Sequence, residues 1–270
     1  MPSIGFDPCP VYGRATFDKC DTCPARCHPL PVLRAMMGSR EVVPGEYSTT
    51  EILKPLQAIY YSRRNEFYID PEKTIFMVNG TAVHSVVEEG GKGLDPEKHV
   101  IEKPFRAEIH PGVFLNGRPD YYDAEMGTLW DFKNSKAYTV KKHLKAVADK
   151  LPWMTEDYFM QLNIYKTYGF PAANELRLYF FVQGWTRREE MKPIEQVEVP
   201  IAPGAEVRLW VKTRLKRIME AEANGKPPEC LTGDLWMRAD GYPMRCMEYC
   251  NARDHCPQAQ RLIAKWGGKK

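Results

Sequence analysis

The chain has 270 residues, 43% hydrophobic and 27% charged, enough apolar content for a real core in one elaborated domain or in a core with a small appendage. Its net charge of +3 excludes an overwhelming basic field for nucleic acid, and no run of 18 apolar residues marks a membrane span. No apolar signal core follows Met1-Pro2-Ser3-Ile4-Gly5, so the expectation is a cytoplasmic protein with reduced thiols and no membrane partner.

Residues 1–46 read as an irregular, cysteine-rich segment with little periodicity. Ser48-Thr49-Thr50-Glu51 is a capping box that predicts a helix from Ser48 to about Asn65, with Pro55 as a kink or as the true start. A second helix is predicted from about Thr74 to Glu89, stopped by Gly90-Gly91, with Gly80, His84 and Glu88 four apart on one face. Three β-segments follow near Val100 to Ile109, Val113 to Asp123 and Thr128 to Lys133, arranged as a meander. Helices are then predicted from about Thr139 to Lys150 and Thr155 to Tyr168. Next comes a strand from Glu175 to Gln183, in which Leu176, Leu178, Phe180 and Val182 alternate with more polar residues. A strand near Glu195 to Pro200 and a long helix from about Ala205 to Ala223, ended by Asn224-Gly225, complete the series. The expected architecture is an α/β sandwich, a mixed sheet flanked by helices. Its core spans residues 47–225, preceded by a cysteine-rich segment at 1–46 and followed by one at 226–270 that packs on the core.

Chemistry concentrates between Gly117 and Lys133. In a strand, Leu129, Asp131 and Lys133 point to one face while Trp130 and Phe132 point to the other. Asp131 and Lys133 are thus held side by side, a carboxylate for a hard cation such as Mg²⁺ and an ammonium to orient water and balance phosphate charge. Asp120, after the Gly117-Arg118-Pro119 turn, supplies a second carboxylate, with Asp123 as the fallback. On the helix before, Gly80 leaves room, while His84 and Glu88 offer an imidazole and a carboxylate. Gln161 and Tyr165 are also four apart, a spacing that reads by itself as a polar stripe on an amphipathic helix.

The order Gly80-Thr81-x-x-His84, Gly117-x-x-Asp120, Asp131-Phe132-Lys133 and Gln161-x-x-x-Tyr165 resembles the PD-(D/E)XK nuclease superfamily. The resemblance is to its RecB-like branch, which holds CRISPR-associated and many phage exonucleases, and covers about Ser48 to Tyr168. It implies a restriction-endonuclease-like core with His84, Asp120, Asp131 and the Phe132 carbonyl as metal ligands. Lys133 would be the catalytic lysine, and Gln161 and Tyr165 would contact substrate or stabilise the site. The implied activity is a Mg²⁺- or Mn²⁺-dependent DNA exonuclease on single strands or DNA ends. Its setting would be recombination, repair, phage replication or CRISPR spacer processing, with a helicase, integrase or recombination protein as candidate partner.

Eight cysteines fall in two groups, Cys9, Cys20, Cys23 and Cys27 before the core and Cys230, Cys246, Cys250 and Cys256 after it. Reduced, closely spaced cysteines suit zinc or an iron-sulfur cluster. By the resemblance, Cys246, Cys250 and Cys256 look like the trio that binds a 4Fe-4S cluster, although the first gap is one residue longer than usual. Cys230 offers a local fourth ligand, and Cys20, Cys23 or Cys27 would close the ring in the family manner. With all four C-terminal cysteines at one centre, the N-terminal four remain as a zinc-like knuckle with His28 as a spare ligand.

Lys133, Lys136, Lys141, Lys142, Lys145 and Lys150 read either as a DNA track or as a solvated face. Tyr121, Tyr122, Trp153, Tyr158 and Phe159 offer stacking surfaces, although most of them suit a core. Two rival readings are a catalytically idle DNA-end-binding module assisting a partner nuclease or integrase, and a cysteine-metal redox sensor.

Overall fold

A computed structural model gives the structure of the protein and describes residues 3–37, 41–148 and 156–266. Residues 1–46, expected to be irregular, begin instead with an antiparallel hairpin, β1 (Ser3–Cys9) and β2 (Gly13–Thr16). Two short helices, α1 (Phe17–Asp21) and α2 (Leu30–Met37), and a strand, β3 (Glu46–Ser48), follow. Most of these elements are too short to show a period. Their apolar content is pooled across the chain, with Phe6, Cys20, Leu33 and Met36 packed around Ile69.

The capping box forms as expected, with Ser48 Oγ accepting from the Glu51 amide at 3.1 Å and the Ser48 amide 3.5 Å from Glu51 Oε2. The helix it starts, α3 (Thr49–Ile52), ends after one turn, and Pro55 caps a new helix, α4 (Leu56–Arg64). Proline lacks the N–H and clashes with the preceding turn, so the single predicted helix is two. A strand, β4 (Phe67–Ile69), pairs parallel with β1, and the helix carrying His84 is α5 (Pro71–Gly90).

The three expected β-segments are five strands, β5 (His99–Ile101), β6 (Phe105–His110), β7 (Val113–Gly117), β8 (Tyr121–Asp123) and β9 (Thr128–Lys136). Glu102, at φ 49°, and Pro104 break the first segment, while Arg118-Pro119-Asp120 breaks the second. Proline cannot donate to a ladder, so each break lets the chain change sheets. The result is two sheets in place of one meander, with orders β11-β10-β9-β8-β5 and β3-β7-β6. Helices α6 (Ala137–Ala148) and α7 (Glu156–Tyr168) come next; the predicted ends at Lys150 and Thr155, and Trp153, lie outside the described residues. Strands β10 (Glu175–Gln183) and β11 (Ile194–Glu198) and helix α8 (Gly204–Asn224) fall close to where the sequence patterns end, and a further helix, α9 (Pro257–Trp266), forms in the cysteine-rich C-terminal segment, where none was expected.

The five-stranded sheet is mixed: β9 and β10 run parallel, with Asp131 opposite Leu178 and Lys133 opposite Phe180, and every other pairing is antiparallel. Its core joins Leu129, Leu176, Leu178 and Phe180 from the sheet to Val140 of α6 and Leu162 of α7. By contacts the chain divides into two compact units, Met1–Pro44 with Lys54–Val78 and Thr213–Lys270, and Gly45–Leu53 with Asn79–Lys212. The first holds the β2-β1-β4 sheet and all eight cysteines, and the second holds the other two sheets. No described helix is long and apolar enough to cross a membrane.

Candidate active site

Strand alternation places the central pair. Trp130 and Phe132 pack edge-on against Tyr179 on one face of the sheet, while Leu129 joins the core on the other. Asp131 shares the Leu129 face and is 1% exposed, with Lys133 Nζ 2.6 Å from its Oδ2. From α7, one turn apart, Gln161 Nε2 donates to Asp131 Oδ1 at 3.1 Å and to Tyr165 Oη at 3.0 Å. Lys133 Nζ also lies 3.4 Å from Gln161 Oε1 and 4.7 Å from the centre of the Tyr158 ring.

Asp120 sits at the end of the loop after β7, and its Oδ2 accepts the Phe132 amide at 2.6 Å, which ties that loop to β9. Its Oδ1 is 3.2 Å from His84 Nδ1 on α5. The same imidazole nitrogen is 3.6 Å from Oε1 of Glu102, whose other oxygen is 2.6 Å from Arg118 Nε. Ligand atoms of His84, Glu102 and Asp120 all lie within 4.8 Å of one another, the only such His, Cys, Asp or Glu group among the described residues.

Glu102 was not foreseen from the sequence. It lies in no motif, and it reaches the site because the chain turns through a left-handed residue between β5 and β6, a conformation that side chains with a Cβ seldom adopt. An acid directly beside a proline-interrupted strand end was the only sign. Glu88, aligned with His84 on paper, is exposed and outside the group. Asp123 caps its own turn, accepting the Met126 amide at 2.9 Å. Phe132 contributes its backbone here, while its ring belongs to the opposite face.

The electrostatics follow from burial and pairing. Hydrogen bonds to Asp120 and then Glu102 push His84 up to about 10, outweighing partial burial. Burial pushes the Asp131 carboxyl up, and Lys133 pulls it back only in part. Burial opposes the Lys133 ammonium, but Asp131, Tyr158 and Asp120 together outweigh it and hold the lysine above its ordinary value. Asp131 Oδ2 is buried, with the Lys133 ammonium 2.6 Å away. Three carboxylates, those of Glu102, Asp120 and Asp131, and one imidazole are a hard donor set, and they fit Mg²⁺ or Mn²⁺.

The thiols are arranged differently. All eight are free, and among the described residues no three bring their sulfurs within 4.8 Å, wider than the ~3.8 Å that tetrahedral bonds of ~2.3 Å to one zinc impose. Cys9, Cys20, Cys23 and Cys27 line one small pocket together with Lys19 and Arg26, and His28 is not part of its lining. Cys246 and Cys256 are buried with Leu235 and Ala259, Cys230 packs against them, and Gln57 Oε1 accepts from Cys256 Sγ at 3.1 Å. Burial first, then neighbouring groups that include the other three C-terminal thiols, push Cys230 up to about 12.

Of the lysines expected to track DNA, Lys141 pairs with Glu189 at 2.9 Å and Lys142 lies over the Tyr138 ring at 4.4 Å. Lys150 lies outside the described residues. Tyr122 is core, with Tyr158 and Phe159 packed against it, and Tyr121 Oη is 2.8 Å from His99 Nδ1.

The sequence matches no family model and no curated protein. Among solved structures, the crystal structure of SSO0001 is similar with a TM-score of 0.53 at 16% identity, over 84% of this chain and 94% of that one. A phage related exonuclease from Haemophilus somnus 129PT is similar with a TM-score of 0.38 at 11% identity, over 66% of this chain and 82% of that one. The first likeness is one of fold, and the second is too slight to bear on this chain's function.

Proposed function

We propose that the chain is a divalent-metal-dependent deoxyribonuclease, working as an exonuclease on single-stranded DNA or DNA ends. The observation that carries the reading is the buried Asp131–Lys133 pair, 2.6 Å apart, joined through the Asp120–Phe132 hydrogen bond to the His84, Glu102 and Asp120 group.

Asp120, Asp131, His84 and Glu102, with the Phe132 carbonyl, would hold Mg²⁺ or Mn²⁺. When bound, the cation polarises the scissile phosphate and lowers the pKa of water. Lys133 stays charged, so its role is to orient the attacking water and offset charge building on the phosphate oxygens, not to remove a proton. Gln161 fixes Asp131 Oδ1, and Tyr165 accepts from Gln161, so that α7 locks the carboxylate in one orientation. Arg118 is 65% exposed beside Glu102, placed to meet an incoming phosphate.

The cysteines serve a structural role in this reading. Cys230, Cys246, Cys250 and Cys256 would hold a 4Fe-4S cluster, a reading supported by their sequence spacing and by the packing of Cys230 against buried Cys246 and Cys256, whereas Cys9, Cys20, Cys23 and Cys27 share a pocket with their sulfurs too far apart for one zinc.

The test is incubation of the purified protein with Mn²⁺ and single-stranded DNA labelled at one end. Stepwise release of nucleotides from an end supports the exonuclease. Internal fragments would make it an endonuclease, and intact substrate with Mn²⁺ contradicts the proposal.

A further inference from the structure

A cleft in the first unit has a composition that its packing role does not call for. Its space, open to solvent, is about 550 Å³, and its lining includes Lys54, Arg245, Trp236 and Tyr249 but no acidic residue. Trp236 is 42% and Tyr249 57% exposed, and their rings meet edge to face with centres 5.7 Å apart. The Arg245 guanidinium lies 4.0 Å from the centre of the Trp236 ring. Trp236 itself has φ 52° and ψ 58°, a left-handed conformation that bulky residues rarely adopt. The backbone therefore departs from its preferred region where it presents a large apolar ring to solvent, the reverse of what core packing demands. Pro55 and Ala58 add a small apolar wall beside the two rings.

Flat rings offer stacking surfaces to any base, and cations beside them offer partners to a phosphate. A protein partner would also be met by aromatic residues, but the absence of any acid among the lining residues selects an anionic ligand. We propose that this cleft binds a nucleotide unit of a single strand, its base stacked against Trp236 and Tyr249 and its phosphate paired with Arg245 and Lys54. The proposal rests on the nuclease reading for its source of ligand and assigns that reading a binding site outside the acidic cluster. Arg245 and Lys54 also face the Cys250 thiol, which also lines the cleft, so the test must separate the two roles.

Fluorescence anisotropy of a labelled short oligo(dT) in EDTA, where no cleavage occurs, compares wild type with Trp236→Leu, Tyr249→Ala and Arg245→Gln. Each variant should bind roughly tenfold or more weakly, with thermal midpoint and sulfur-bound metal content unchanged. Competition by dTMP assigns the cleft to a single nucleotide, and its failure assigns it to a longer strand. Wild-type affinity in Tyr249→Ala and Arg245→Gln overturns the proposal even if the enzyme cleaves DNA. A wild-type protein that cleaves but does not bind oligo(dT) in EDTA overturns the cleft alone, whereas one that neither binds nor cleaves removes the nuclease reading as well.

Discussion

His84 is the residue on which proton and cation compete. Without a cation, its imidazolium sits between Asp120 and Glu102 and keeps its proton up to about 10. That charge contributes stability fully below the ordinary histidine value of 6.5, and the contribution fades as pH rises through about 10. A divalent cation needs the neutral imidazole, so binding near pH 8 should release about one proton, and affinity should rise with pH across this window. Titration calorimetry of Mn²⁺ in buffers of different ionisation heat should show that release, and His84→Gln should lose it. Equal heats in all buffers would remove His84 from the cation site. Asp131 and Lys133 could be placed side by side from sequence because strand alternation is a local rule. Glu102 could not, because a left-handed turn between two strands brings it in.

Among elements, the loop between β7 and β8 matters most, because it hangs Asp120 on β9. Gly117 ends β7 directly before that loop, and a Cβ there would lie 2.3 Å from Phe105 Cε1 and 2.8 Å from Thr49 Oγ1. Gly117→Ala should therefore cost about 1–3 kcal/mol by overpacking, and it should reduce cleavage more than the thermal midpoint alone accounts for. A variant with wild-type melting and wild-type rate would show that the loop has slack. Helices and strands with a clear period, such as α5, β10 and α8, were legible almost to their ends. Prolines at 55, 104 and 119 set what was not: each interrupts a run that reads as continuous, dividing one helix into two and one meander into two sheets. Residues 1–46 hid a hairpin and helices because their core is assembled from short pieces with Ile69, far along the chain.

In this reading the whole molecule is a platform for one hard cation. Mn²⁺ at about 100 times its Kd should stabilise the wild type by about 2.7 kcal/mol, and EDTA should reverse this. Asp120→Asn, which weakens both the cation group and the tie to Phe132, should show a much smaller shift in a thermal melt; an undiminished one would place the cation elsewhere. Most direct is a time course on end-labelled single- and double-stranded DNA with Mg²⁺, Mn²⁺ or EDTA, wild type beside Lys133→Ala. Wild type should cleave in a metal-dependent way, and Lys133→Ala should cleave more slowly by a factor on the order of 10²–10³ or more, with Mn²⁺ stabilisation of that variant preserved. Wild-type cleavage by Lys133→Ala, or intact DNA from a folded, Mn²⁺-bound wild type, would contradict the nuclease reading.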